Sequence, residues 1–544
     1  MLFAAEKLVG PSVPWFYLNP LFILLGGIVV LMLVGSLTPQ WPRHWYGILS
    51  AATAAITLIS TVLLWDNVTN EKPRAIFGDA LALDHFALLG TISICAAVFL
   101  CSLLTSDYLQ RDSDDGPELY VLYLTAAIGG IIMVASNDLI VLFLGLETLS
   151  LSLYVLAASN RRRSESQESG LKYFILGGFS SAFFLYGIAL VYGATKTTNI
   201  SGIFTALSSS QSVPRNDVFL LVGTGLMLVG LAFKVAAVPF HMWTPDVYQG
   251  APTPVTAFMA SAGKTAAFAA LLRVTLTALP TRVDDWRPII WVLALLSIVV
   301  GSLLAVTQTN VKRMLAYSSI SHAGFMLVGI EAAAHPNSPD AGNGISGVMT
   351  YLLLYTVLVI GTFAVVGLVA RKGDTATELS DFKGLGKQQP ALALALTVFL
   401  LAQAGVPLTS GFVAKFGVIK AAVEVNSYAI AIAAMVASVI GAFLYLRIMV
   451  SVWLEEETAE NTPIQVPFLT GLAVAIAAIF TIAIGVVPGW LLDATQQVAA
   501  LTVKVEFLQS NVGRITQFQL DLSHDVEYSQ PMPSPMIHYH LQYE

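Results

Sequence analysis

Apolar and polar positions do not alternate along this chain. Apolar residues instead run on for about twenty positions at a time, the length an α-helix needs to cross about 30 Å of hydrocarbon. Polar or Pro/Gly-rich connections separate the runs, which predict about fourteen spans: 15–37, 46–65, 81–104, 118–135, 139–158, 171–192, 218–238, 254–279, 289–306, 314–330, 348–370, 391–424, 427–453 and 468–492. A transmembrane β-barrel would show short alternating segments, so the pattern predicts an all-α membrane protein. Two spans are interrupted. Pro407, Ser410 and Gly411 break the stretch 391–424, and the seventh span runs into PFHMWTPDVYQGAPTP (239–254), which is too apolar for an ordinary loop. Irregular backbone at membrane depth is tolerated where it is buried in protein or lines a wet cavity. A pair of such breaks in corresponding halves points to a transport site within inverted repeats. The two halves share no strong residue-level repeat.

Composition narrows the class. Of 544 residues, 56% are hydrophobic and 11% charged, against roughly 25% charged in a soluble protein. The net charge of −7 gives no basic footprint for nucleic acid. Cys95 and Cys101 share one apolar run and read as packed thiols. They provide neither a disulfide framework nor enough ligands for a metal or iron–sulfur site. The first run lacks a basic start and a small-residue cleavage site, so it reads as a span rather than a signal peptide.

Basic residues favour one side. The odd-numbered connections hold Arg43, Arg111, Arg161, Arg162, Arg163, Lys312, Arg313, Arg371, Lys372, Lys383 and Lys387. The even ones hold Lys72, Arg74, Lys196, Arg215, Arg282 and Arg287. An excess of Lys and Arg marks the cytoplasmic face, which places both termini on the opposite one. Beyond about residue 495 hydrophobicity collapses into a polar tail with SQPMPSPM (529–536), His538 and His540, to which no role is assigned.

Charges inside the spans carry the chemistry. An ionisable group near the bilayer centre costs about 2.5 to 3.5 kcal/mol on insertion scales, so it marks a functional site. Glu147 lies mid-way in the fifth span, Lys234 just before the break in the seventh, Lys264 mid-way in the eighth, and Lys415 after the break in the twelfth. An ammonium taken out of water binds its proton less tightly, and a nearby carboxylate opposes that change. Varying the distance between Glu147 and Lys234 would therefore toggle proton affinity. A static ion pair explains Glu147 and Lys234 equally simply, but it leaves Lys264 and Lys415 without partners. Lys172 fits an interfacial anchor as well as a relay position. His241 and His322 are candidates because an unperturbed imidazole titrates near neutral pH, although a satisfied buried histidine accounts for either. Asp84 and His85 read as interfacial, and Arg273, Glu424 and Arg447 as ordinary helix-end charges.

The block KVAAVPFHMWTPDVYQGAPTPVTAF (234–258) resembles the hallmark of the antiporter-like subunits of complex I. In that family a lysine precedes Pro-Phe-His, then Trp, Pro-Asp and Pro-Thr-Pro. GLETLSLSLY (145–154), LKYFILGGFSSA (171–182), TQTNVKRMLAYSSISHAGF (307–325) and AGVPLTSGFVAKF (404–416) are similar as well, in the right order across 120–450. The nearest likeness is to subunit 2 (the N-type subunit) of NAD(P)H–quinone oxidoreductases. TPDVYQGAPTPV and KRMLAYSSISHAG resemble its cyanobacterial and plastid branch.

The resemblance implies fourteen helices, with spans 4–8 and 9–13 as inverted repeats that each contain one broken helix. The domains are then 1–117 (helices 1–3), 118–279 (first repeat), 289–453 (second repeat), 468–492 (last helix) and 493–544 (tail). It also matches Glu147, Lys234, Lys264 and Lys415 to the family's proton-channel residues. The implied function is proton translocation within an NAD(P)H- or ferredoxin–quinone oxidoreductase. Iron–sulfur clusters and quinone, plastoquinone by the branch resemblance, would sit on partner membrane and hydrophilic subunits, with no cofactor or metal on this chain. A cyanobacterial thylakoid is the implied membrane, with bacterial plasma or plastid thylakoid membrane as alternatives. Leu408 departs from the family pattern, where many relatives carry a second proline, and the tail after about 505 matches nothing in it. An Mrp-type cation/proton antiporter subunit and a non-transporting scaffold remain as competing readings.

Overall fold

The computed structural model describes residues 13–38, 42, 44–71, 73–112, 116–208, 213–456 and 464–499. Arg43, Lys72, His538 and His540, with the tail beyond residue 499, lie outside the described residues. The N-terminal part holds α1 (Asn19–Leu37), α2 (His44–Glu71) and α3 (His85–Asp112), with strands β1 (Arg74–Ile76) and β2 (Leu81–Leu83) between the last two. Next come α4 (Glu118–Ala135), α5 (Leu139–Ala157), α6 (Ser164–Thr195), α7 (Ile200–Ser208), α8 (Val218–Val235), α9 (Trp243–Gly250), α10 (Thr253–Phe258) and α11 (Lys264–Leu272). A third group has α12 (Val283–Thr307), α13 (Val311–Ala333), α14 (Ala341–Val369), α15 (Leu385–Gln388), α16 (Pro390–Ala404), α17 (Ser410–Glu424) and α18 (Tyr428–Trp453). Helices α19 (Phe468–Val486) and α20 (Gly489–Gln496) follow.

Among the described residues, 12 helices are long and apolar enough to cross a membrane. The other two expected spans fall on elements with visible reasons for failing that test. Helix α13 carries Lys312, Arg313, His322 and Glu331, and every one of its residues except Arg313 is buried. It is walled in by other helices and has no need of a lipid-compatible surface. The twelfth span is two 15-residue helices, α16 and α17.

Among the described residues, the one paired sheet departs from the helical pattern. Strands β1 and β2 pair antiparallel, with Ala75 opposite Ala82, across a turn in which Phe77, Gly78 and Asp79 all take positive φ. Helix α10 continues through α11 as one helix, Thr253–Ala278, but with π-helical turns at Met259–Gly263 and Arg273–Ala278. Such turns are uncommon and concentrate at functional sites.

Both expected breaks are present, and both begin the same way. Ala236 ends α8 at φ 63°, and Gly405 ends α16 at φ 89°. Ala237 N–H bonds back to the Ala232 carbonyl (2.9 Å), and Val406 N–H to the Leu401 carbonyl (3.1 Å). This is the closing hydrogen bond of a Schellman cap, which satisfies carbonyls that a helix end leaves free. Gly411 then opens α17 so close to the Ala402 carbonyl that a Cβ would collide with backbone.

A second pair of matching features frames the bundle. Asp138 caps α5 and bridges to Asn199, while Asn310 caps α13 and bridges to Glu378. The flanking bonds correspond: Leu139 N–H to Thr198 O and Ile200 N–H to Asn137 O, against Val311 N–H to Thr377 O and Leu379 N–H to Thr309 O.

The connections sort by parity. Arg111, Arg163 and Lys312, from the third, fifth and ninth, converge on Asp374 in the eleventh at 3.3, 3.8 and 3.5 Å. Even connections meet even ones. Asn137 reaches the Asp79 carbonyl (3.0 Å), Arg215 pairs with Asp284 (2.5 Å), and Ser427 bonds Glu331 (3.0 Å).

Candidate functional site

Lys234 ends α8 two residues before the break, and burial of that helix face carries its side chain into the bundle. Its Nζ donates to Ser150 Oγ (2.7 Å) and Tyr154 Oη (3.2 Å), both on α5. Glu147 lies one helical turn from Ser150, yet no ion pair joins it to Lys234 among the described residues. Its Oε1 is buried without a hydrogen-bond partner. The competing reading, a static Glu147–Lys234 pair, is therefore not formed in this structure.

An enclosed cavity between α5, α9 and the π turn touches both Lys234 and Lys264, with Ser150, Tyr173, Trp243 and Tyr248 around it. Its free volume is about 10 Å³, close to the minimum for a single water. Lys264 follows the π turn directly. It points across to α13, where Nζ donates to the Ser319 carbonyl, and it lies 5.9 Å from the Tyr355 ring centre.

The polar path continues through α13. The His322 ring lies 4.8 Å from the Tyr355 ring. Its Nδ1 meets Tyr351 Oη at 2.6 Å and its Nε2 meets Tyr445 Oη at 3.2 Å. Tyr445 shares a 2.6 Å bond with Ser318, which donates on to Gln403 (3.3 Å) in α16. Lys415 closes the series. Its Nζ sits 4.9 Å from the ring of Phe325, one turn along α13 from His322. It donates to the Ala404 carbonyl and to Ser438 Oγ, both at 3.1 Å. Ala404 O, at the C-terminus of α16, also accepts from Ser438 Oγ (3.4 Å), and that end of a helix favours a cation. Lys234, Lys264 and Lys415 are 8%, 2% and 6% exposed, so none snorkels to an interface.

The remaining candidates fall elsewhere. Lys172 bonds Glu168 (2.7 Å) and Asp246 (2.8 Å) in a half-exposed network that also holds Arg313. His241 lies in the α8–α9 break, and its Nδ1 is buried without a partner. No hydrogen bond or ring contact joins either residue to the lysine series among the described residues. Cys95 and Cys101 are buried free thiols. Among the described residues, no group of three His, Cys, Asp or Glu side chains is placed to hold a metal ion.

Sequence reasoning placed Asp84 at an interface and Arg273 at a helix end, and the structure corrects both. The two form a bidentate pair at 2.7 and 2.8 Å, with Asp84 0% and Arg273 1% exposed. Arg273 Nε also donates to the Val134 carbonyl (3.0 Å). It heads the second π turn, and 189 residues separate the partners. Nothing local in the sequence could have joined them.

The family described as NADH:quinone oxidoreductase/Mrp antiporter, transmembrane, matches residues 136–441, more than half of the chain. The chain belongs to this family. It is 41% identical over 473 residues to the NADH-quinone oxidoreductase subunit N of Trichlorobacter lovleyi, covering 87% of this chain and 94% of that one. A chain of respiratory complex I from Thermus thermophilus superposes with TM-score 0.73 at 33% identity, over 88% of this chain and 99% of that one. A chain of the Mrp complex from Dietzia sp. superposes with TM-score 0.80 over 91% and 99%, at 21% identity, a likeness of fold alone. The match to the NADH:quinone oxidoreductase/Mrp family encloses both bridging caps, both broken helices and Lys234, Lys264 and Lys415. It leaves Asp84 outside.

Proposed function

We propose that this chain is a proton-translocating membrane subunit of a complex I-type NADH–quinone oxidoreductase, working through Glu147, Lys234, Lys264, His322 and Lys415. One observation carries this reading. Three buried lysines stand in series from α8 to α17, separated by hydroxyls, an imidazole and aromatic rings, and none is neutralised by a carboxylate within the described residues. A fold that needed those charges only for packing would pair them.

The geometry supports a stepwise relay. Lys234 shares its proton with the Ser150 and Tyr154 hydroxyls, and a water in the adjoining cavity would link it to Lys264. His322, held between two tyrosine hydroxyls, can take a proton on one ring nitrogen while giving one from the other. Lys415 then receives it beside the α16 carbonyl end. Glu147 acts from one turn away: a closer approach tightens the hold of Lys234 on its proton, and withdrawal loosens it.

Fourteen crossings are part of the proposal. Odd connections meet odd and even meet even, which is the outcome expected when every span crosses. The bridging caps at Asp138 and Asn310 then lie on opposite faces, as inverted repeats 118–279 and 289–453 require, between helices 1–3 (1–117) and the last helix (468–492). The odd face is assigned to the cytoplasm from its basic residues. Iron–sulfur clusters and quinone are assigned to partner subunits. Plastoquinone, NADPH and a thylakoid setting rest on the branch resemblance alone, and the relative aligned above is a bacterial NADH–quinone oxidoreductase subunit.

Lys234→Ala in the assembled complex tests the relay. The expected outcome is a lower proton-to-electron ratio with assembly intact on native gels. Unchanged pumping from both Lys234→Ala and Glu147→Ala would overturn it. Sodium- or potassium-dependent exchange without quinone-linked partners would favour the Mrp-type reading.

A further inference from the structure

Glu331 lies near the far end of α13, nine residues or about 13.5 Å beyond His322, and is 2% exposed. Its Oε1 receives a hydrogen bond from Ser427 Oγ (3.0 Å) and lies 3.1 Å from His335 Nε2. Its Oε2 is buried with no partner. An unsatisfied carboxylate oxygen at this depth is unfavourable unless the group serves a purpose. His335 is partly exposed, with 21% of its side chain reached by solvent, and it also touches Ser427 (3.2 Å). The trio therefore runs from a dry carboxylate to open water.

Between Lys415 and this trio lies an apolar contact layer. Lys415 touches Phe325, and one turn further along α13 comes Gly329, packed against Val348 of α14 and Val418 of α17. Beyond that layer are Glu331, Ser427 and, at the end of α17, Glu424, which is tied to Asn343 (2.9 Å) and Lys420 (3.4 Å). Lys415 and Glu331 thus stand on either side of one dry layer formed by small and β-branched residues. The trio belongs to the even connections, the face opposite Lys312 and Asp374.

We propose that Glu331 and His335 form the proton-release site of the second repeat, with the Gly329–Val348–Val418 layer as its gate. The proposal rests on the lysine relay above. When water enters the layer, the proton leaves the Lys415 ammonium and the Glu331 carboxylate becomes a neutral acid. It then passes to the His335 imidazole and on to bulk water, which restores the carboxylate. Closure of the dry layer prevents return.

The test uses the purified, fully assembled complex in proteoliposomes, reading protons moved per quinone reduced. Glu331→Gln keeps the hydrogen bonds to Ser427 and His335 but cannot take a proton, and its expected loss equals that of Lys415→Ala. Glu331→Asp, which can still titrate, retains most of the wild-type ratio. A purely structural role would give the reverse order. If Lys415→Ala lowers the ratio and Glu331→Gln does not, the release site is wrong and the relay stands. If neither changes it, the relay falls and the release site with it. Should Glu331→Gln fail to assemble, His335→Gln decides: a lowered ratio supports the proposal, and a wild-type ratio overturns it.

Discussion

Two kinds of buried charge coexist in this bundle. At Asp84–Arg273, a full guanidinium–carboxylate fork is closed off from solvent, and the Val134 carbonyl takes a further N–H. Along Lys234, Lys264 and Lys415, cations equally removed from water meet only hydroxyls, carbonyls and ring faces. The first arrangement holds still, because moving either partner strands the other. The second has no fixed counter-charge to leave behind, so a proton can depart and the site becomes neutral. On the proposed relay, the difference separates charge used for construction from charge used for traffic.

Breaking the paired site has the largest expected effect. Asp84→Ala leaves Arg273 unpaired, at a cost of about 3 to 5 kcal/mol, and the expected result is loss of the subunit from the complex on native gels. Replacing both partners, Asp84→Leu with Arg273→Met, removes both charges and should restore assembly, since apolar substitutes for a buried pair are often neutral. A double variant as damaging as the single one would show that the pair does more than hold helices. Lys264→Leu should behave oppositely to Asp84→Ala, with assembly retained and proton pumping lowered. Tyr154→Phe removes one of two hydroxyls on Lys234, worth about 1.5 to 3 kcal/mol for a bond to a charged group. It should lower the pumping rate less than Lys264→Leu does. Lys172→Ala breaks a half-exposed pair worth about 0 to 1 kcal/mol, and its thermal stability should be nearly that of the parent.

Much of the fold was legible because lipid imposes it. Each apolar run became a helix except the twelfth, which became two, and Pro239 and Pro407 marked both breaks. Helix α13 was legible only in part: Lys312 counts as a charge of the ninth connection, and Glu331 falls just past the expected span 314–330 and went unread. Their burial depends on α14, α17 and the eleventh connection, remote in sequence. The lysine series was legible residue by residue, because a lone ammonium in an apolar run is conspicuous. Its continuity was not, since Tyr351, Tyr355 and Tyr445 are unremarkable in a membrane helix until His322 is placed between them. The π turns beside Lys264 and Arg273 left no signal, since the sequence there is compatible with an ordinary helix.

Asp374 ties Arg111 of α3, Arg163 at the head of α6, Thr253 at the head of α10 and Lys312 of α13 to one fully buried carboxylate. In mechanical terms it is a fulcrum. With four helices clamped at that end, any rocking of one repeat against the other has its smallest amplitude there and its largest at the opposite end. That opposite end is where the dry layer separates Lys415 from Glu331. On the proposed topology, the same clamp would thus hold the odd-connection face shut while a small tilt, multiplied along the length of α13, admits water on the other.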